Sequence, residues 1–231
     1  MNSPEVLRGR SDEMVRAMCN LRAARRKGQG QILIVTGEQG VGKSMLAAAI
    51  DDEARAQGFR TGRSTAEAES SLGAPMLSVL CDGLQPGGER SARFGVLSEE
   101  PMALVESVSN LLADAAESNP LLLKMDDLEH ADQLTRFLLR TVPSRLASLP
   151  IVWLLVGRAQ PGTVLSELSS PSKSRSGQIA VECLELGPLS AEAVAAIERD
   201  CRMSSSSVDR VRGLEQTAVR ATAVERPHVF R

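Results

Sequence analysis

The chain is 231 residues long, 42% hydrophobic and 24% charged, which is enough to bury the core of one large domain. A formal net charge of −2 supplies no basic field for nucleic acid, and 2% aromatics without a tyrosine leave little to stack along a single strand. Four separated cysteines (Cys19, Cys81, Cys183, Cys201) with no CxxC pair argue against a zinc site and a disulfide framework.

The opening "MNSPEVLRGRSDE" has no apolar signal core, and no run approaches the roughly 20 apolar residues of a membrane span, so a soluble, cytoplasmic chain is expected. Ser11 to Gly28 reads as a helix. Ser11 is its expected cap, Asp12 and Glu13 suit the first turn and Arg25, Arg26 and Lys27 the last, and Met14, Met18 and Leu21 share a face. Gln31 to Thr36 is an apolar strand, followed by a glycine-rich turn and a helix to about Gln57, and Phe59 to Ser64 reads as a second strand. Residues 65 to 100 are punctuated by Pro75, Pro86, Gly87 and Gly88 around one short helical piece, "MLSVLCDGL".

Met102 to Glu117 is helical, "PLLLKMDD" is the third strand, and Ala131 to Leu149 is helical with a bend expected at Pro143. "PIVWLLVGR" is an almost unbroken apolar run, as a strand buried on both faces requires. A surface loop "SSPSKSRSG", a fifth strand "QIAVECLEL" and a helix from Ser190 to Cys201 follow. Strands alternating with helices predict an α/β fold, a P-loop NTPase with a parallel β-sheet between helices, over residues 1–201, with an irregular tail over 202–231.

The residues with chemistry fall at strand ends. "GEQGVGKS" matches GxxxxGK[ST] between a strand and a helix. Glycines there let backbone N–H groups curl around phosphate, and the helix start adds its positive dipole. The nucleotide-binding set is Gly37, Glu38, Gln39, Gly40, Val41 and Gly42, with Lys43, Ser44 and Met45. Lys43 is suited to the β- and γ-phosphates of ATP, and the Ser44 hydroxyl to Mg²⁺.

"LLLKMDDLEHAD" has the Walker B form, an apolar strand ending in two acids. Asp126 is the candidate Mg²⁺ ligand and Asp127 the candidate catalytic group that orients or deprotonates water. Lys124 is out of character in a buried strand; it either snorkels to a sheet edge or marks an altered site. Arg158, ending the fourth strand, is either a contact to the γ-phosphate or a solvated strand-end charge, and His130 is read as structural.

In order and spacing, "LRGRSDE", "LIVTGEQGVGKS", "LLLKMDDLEHAD", "WLLVGR" and "LELGPLS" together resemble the N-terminal ATPase domain of large LuxR-type transcriptional regulators. That domain is an origin-recognition-like AAA type within the STAND group of NTPases. The resemblance covers about residues 5 to 200 and implies an adenine pocket at Leu7, Gly9 and Arg10, and a nucleotide-sensing role for Arg158. The family usually reads "DDLHWAD" where this chain has Glu129 and His130, and Lys124 replaces an apolar residue; these departures leave binding in place and argue against efficient hydrolysis.

Such regulators continue into a winged-helix lid, a helical-repeat region and a DNA-binding helix-turn-helix. Residues 202–231 are too short for these, so a domain without its output half is expected, with one further hypothesis that its tail is the out-of-frame product of a truncated gene. The expected partners are ATP and either a second copy or a regulatory protein, with no direct DNA contact and no membrane. The rivals to a nucleotide switch are a non-hydrolysing ATP-binding interaction module and a free-standing P-loop kinase. The kinase needs an arginine-rich acceptor lid, whereas the loop from Ser169 to Gly177 holds only Lys173 and Arg175.

Overall fold

The computed structural model describes residues 9–67, 72–84, 101–170, 179–197 and 199. The chain divides into two compact units, Met1–Pro188 and Leu189–Arg231. In the second, residues 191–197 of the expected Ser190–Cys201 helix are helical, with the Ala193 N–H donating to Ser190 Oγ; the expected tail, 202–231, lies outside the described residues.

The first unit is built on a parallel five-stranded sheet of order β2-β3-β4-β1-β5, comprising β1 (Gln31–Gly37), β2 (Arg60–Thr65), β3 (Leu121–Asp126), β4 (Ile151–Gly157) and β5 (Ala180–Leu186). The inner strands β1, β3 and β4 are the continuous apolar runs, buried on both faces. The edge strands β2 and β5 are less buried, alternating buried with exposed residues only from Gly62 in β2 and from Cys183 in β5, where one face is covered and the other is not.

Helices α1 (Ser11–Lys27) and α2 (Lys43–Ala56) cover one face, where Leu21, Leu46 and Ile50 pack with Leu33, Val35, Leu154 and Val156. Helices α3 (Ala74–Leu84), α4 (Pro101–Ser118), α5 (Gln133–Arg145) and α6 (Val164–Ser169) cover the other, around Ile32, Ile34, Leu123 and Trp153. The alternation of Ile32 and Ile34 against Leu33 and Val35 feeds the two layers from one strand. Among the described residues no helix is long and apolar enough to cross a membrane, and Cys19 and Cys183 are free thiols.

Several local expectations change. Ser11 does not cap α1: Arg10 occupies the cap position without a side-chain bond, because its side chain turns inward, where Glu13 pairs with it. The expected helix from Ala131 to Leu149 is shorter: α5 begins at Gln133, after a 3-10 turn (Leu128–His130), and continues only two residues past Pro143. Lys124 is not at a sheet edge. It is half-buried in the second strand of the sheet, between Arg63 and Leu154, and Arg63 beside it is neutralised by the buried Asp51 at 2.6 Å.

Helix α6 had no counterpart in the sequence reading; Thr163 caps it by accepting from the Ser166 N–H. The loop from Ser169 to Gly177, with Lys173 and Arg175, lies outside the described residues after Ser170.

Asp132 fixes where α5 begins. Its Oδ1 accepts from the N–H groups of Leu134, Thr135 and Gly73, and its Oδ2 from the Thr135 hydroxyl at 2.6 Å. Burial pushes the carboxyl up, but the Thr135 hydroxyl and the Thr135, Gly73 and Leu134 N–H groups outweigh it and hold the pKa below the usual carboxylate range. A depressed folded-state pKa stabilises the protein above the unfolded value of about 4 and loses that contribution as pH falls through the folded value. Asp132→Ala should therefore lower unfolding free energy by about 1–2 kcal/mol at pH 7. Denaturant melts should show the difference from wild type shrinking below about pH 4.

Candidate functional site

Strand order brings the charged ends together. Because β4 lies between β3 and β1, Thr36 pairs with Gly157, and Met125 pairs with Leu155. Arg158 is thus flanked on one side by the loop after β1 and on the other by the acids after β3.

The loop from Gly37 to Gly42 is shaped by backbone conformation. Gly40 (φ 83) and Gly42 (φ 95) take left-handed values, and a Cβ on either would meet nothing within 4 Å, so the loop arches over open space. Gly37 is held by close approach instead: a Cβ there would lie 2.5 Å from the Leu186 carbonyl oxygen of β5. Glu38, Gln39 and Gly40 are exposed, and Gly42 caps α2, which begins at Lys43. Lys43 Nζ donates to the Glu38 carbonyl at 2.9 Å, folding back across the loop. Ser44 is exposed at the helix start, and Met45 beside it is 65% exposed, unusual for a large apolar side chain.

Arg10 braces this loop from behind. It is 5% exposed, and its Nη2 donates to the carbonyls of Val41 (3.0 Å) and Gly187 (2.5 Å) while Nη1 pairs with Glu13 at 3.1 Å. Gly9 makes the preceding turn with φ 78. The resemblance gives Arg10 to an adenine pocket; here its guanidinium is engaged by main-chain carbonyls of the loop and of the segment after β5. Leu7 lies outside the described residues.

At the end of β3, Asp126 is buried and accepts from the Asp127 N–H at 3.0 Å. Asp127 has φ 54, the left-handed value that lets the chain leave the strand and enter the 3-10 turn. Burial raises the Asp127 pKa, and the charges of Asp126 and Glu129 add to it, with His130 and Lys43 opposing.

Sequence reasoning noted Glu129 only as a departure from the family pattern and missed its partner. Its carboxylate accepts from Arg158 Nε at 2.8 Å and from the Arg158 backbone N–H at 3.0 Å. Burial pushes its pKa up, but these bonds and the guanidinium charge hold it below the usual range. The carboxylate fits only because residue 157 is glycine: a Cβ would lie 2.5 Å from Glu129 Oε2. No local pattern announces a contact across 29 residues; an acid in the turn after β3 and a glycine before Arg158 were its only traces.

An open, N–H-rich loop before a helix, with a lysine and a hydroxyl at its mouth and two acids nearby, suits a nucleotide phosphate chain with its cation. Among the described residues no cluster of three or more His, Cys, Asp or Glu is placed to hold a metal, and an ion held by Ser44, Asp126 and phosphate oxygens needs none.

The fold and this site define a P-loop nucleotide-binding domain. The AAA ATPase domain family matches residues 6–155, well over half of the chain, and the chain belongs to that family. No curated protein matches it. Among solved structures it is similar to the ORC1 protein of Aeropyrum pernix in complex with DNA, at 15% identity over 87% of this chain and 51% of that one, TM-score 0.61. It is also similar to Cdc6p of Pyrobaculum aerophilum, at 14% identity over 86% and 50% of the two chains, TM-score 0.56. The ADP form of the Aeropyrum pernix ORC2 protein is 20% identical over 86% and 53%, TM-score 0.52. At these identities the likeness is one of fold, and the chain spans about half the length of each.

Removing the Arg10 brace frees the Val41 carbonyl and loosens the loop. Arg10→Ala should weaken ATP and ADP binding alike, by about tenfold, the scale of one charge-assisted hydrogen bond. Calorimetric titration of both nucleotides checks this; unchanged affinity would show that the loop holds its shape without Arg10.

Proposed function

We propose that the chain is an ATP-dependent switch domain, the nucleotide-binding part of a LuxR-type transcriptional regulator of the STAND group. The observation that carries the reading is the convergence of three charged strand ends on neighbouring strands: Lys43 after β1, Asp126 and Asp127 after β3, and Arg158 after β4. The motif set from "LRGRSDE" to "LELGPLS" supports the regulator context.

In this reading the backbone N–H groups of Gly37 to Ser44 cradle the phosphates. Lys43 exchanges the Glu38 carbonyl for the β- and γ-phosphates. Ser44 and Asp126 would hold Mg²⁺, which would supply neutralisation of the phosphate charge. Asp127 orients the attacking water and takes its proton as the γ-phosphate separates from ADP. Arg158 contacts the γ-phosphate and so distinguishes ATP from ADP, the differential contact a two-state switch requires. Gly9 and Met45 border the base and ribose, with Arg10 supporting the loop behind them; Leu7, outside the described residues, is given to that pocket by the resemblance alone. Output passes to a second copy or a regulatory protein, and this chain does not itself read DNA.

Binding without turnover is the second reading, and Lys124 favours it. Strand alternation sets Lys124 on the same face of β3 as Asp126, two residues away, where an ammonium competes with a divalent cation.

Mg²⁺-ATP binding and phosphate release by the purified chain test the proposal. Lys43→Ala should weaken ATP binding by about ten- to a hundredfold. Asp127→Asn should keep binding and cut turnover by about a hundredfold or more. Binding with no turnover in wild type would favour the holding module, and no binding by the folded protein would end both readings.

A further inference from the structure

A guanidinium offers two gripping edges, the side edge with Nε and one Nη, and the end with both Nη groups. In Arg158 the Nε–H is taken by Glu129 Oε1 at 2.8 Å, and the backbone N–H of the same residue is taken by Oε2 at 3.0 Å. One carboxylate thus holds the arginine at its root and along its side chain, closing a ring that prevents the guanidinium from swinging. Among the described residues neither Nη group has a hydrogen-bond partner, and the Arg158 side chain is 35% exposed against 9% for Glu129. The buried acid is the anchor, and the free fork faces outward.

The anchor is itself fixed. Glu129 lies in the 3-10 turn after β3, set by the left-handed Asp127, and its carboxylate occupies the space that a Cβ on Gly157 would fill. The turn carrying the acids is thereby coupled to the end of β4.

We infer that Glu129 is a positioning residue which orients Arg158 so that its two Nη groups meet the terminal phosphate of a nucleoside triphosphate end-on, making ATP-over-ADP discrimination a property of the Glu129–Arg158 pair. This rests on the switch reading given above. Glu129 does not touch the nucleotide. It partly offsets the charge of Arg158, so selectivity comes from the direction of the fork rather than from a general attraction for anions.

The chemistry of the pair gives a selective test. Glutamate accepts both N–H groups, whereas the glutamine of Glu129→Gln must turn its own NH₂ towards one of them and release it. Glu129→Asp keeps the charge but withdraws the carboxylate by one methylene. Dissociation constants for Mg²⁺-ATP and Mg²⁺-ADP should be measured for wild type, both Glu129 variants, Arg158→Ala and the double variant Glu129→Gln/Arg158→Ala, with Lys43→Ala as the control for the site.

Each Glu129 variant should lower the ATP-over-ADP preference by about five- to tenfold through weaker ATP binding, with ADP affinity and Tm nearly unchanged. The double variant should be no worse than Arg158→Ala alone, since the two residues act as one. A wild-type preference retained in both Glu129 variants would overturn the assignment, as would tighter ATP binding, which would make Glu129 a competitor of the phosphate. Equal losses for ATP and ADP together with a lower Tm would reduce Glu129 to a structural role. ATP binding indifferent to Lys43→Ala, or a wild type with no preference for ATP, would remove the switch reading itself.

Discussion

A phosphate loop has to keep a row of backbone N–H groups turned towards a ligand, and left-handed glycines alone give it no reason to hold that shape. Rigidity comes from its surroundings. β1 is held by parallel pairing on both sides, by β4 and β5, and Gly37 is pressed against the Leu186 carbonyl at the end of β5. The buried Arg10 then ties the Val41 carbonyl of the loop to the Gly187 carbonyl just past β5. The nucleotide loop is therefore an extension of the sheet and shares its stability.

A second rigid body faces it across the end of β4. The turn after β3 is shaped by the left-handed Asp127, and Glu129 in that turn grips Arg158. The acids and the arginine consequently move together. In the switch proposed above, a ligand that bridges the loop and this turn would have different contacts from one that reaches only the loop, and a third phosphate would make that difference. The family match and the fold establish an AAA-type nucleotide-binding domain; the account of switching rests on this two-part geometry.

The parts of the fold legible in the sequence were those dictated by burial. β1, β3 and β4 stood out because strands buried on both faces are mostly apolar and end where polar or charged residues begin, Lys124 in β3 being the exception. The weaker edge strand β2 was placed one residue early, since Phe59 is buried without belonging to the strand. Six-residue α6 is too short to show helical periodicity. Asp132 was hidden among the acids after β3, where its capping role at α5 is indistinguishable from a chemical one until Thr135 and Gly73 are seen bonding to it. In the site, the phosphate loop and the acid pair were legible because their chemistry demands contiguous residues. The contacts of Arg10 with Gly187, 177 residues away, and of Glu129 with Arg158 are products of folding alone.

The central claim is that the loop after β1 and the turn after β3 read one nucleotide together, and amide hydrogen exchange tests it most directly. With Mg²⁺-ADP, exchange should slow across Gly37–Ser44 and stay unchanged at residues 128–130 and at Arg158. With Mg²⁺-ATP, both regions should slow together. Equal protection by the two nucleotides, confined to the loop, would contradict the account and leave a nucleotide-holding domain with no means of sensing the terminal phosphate.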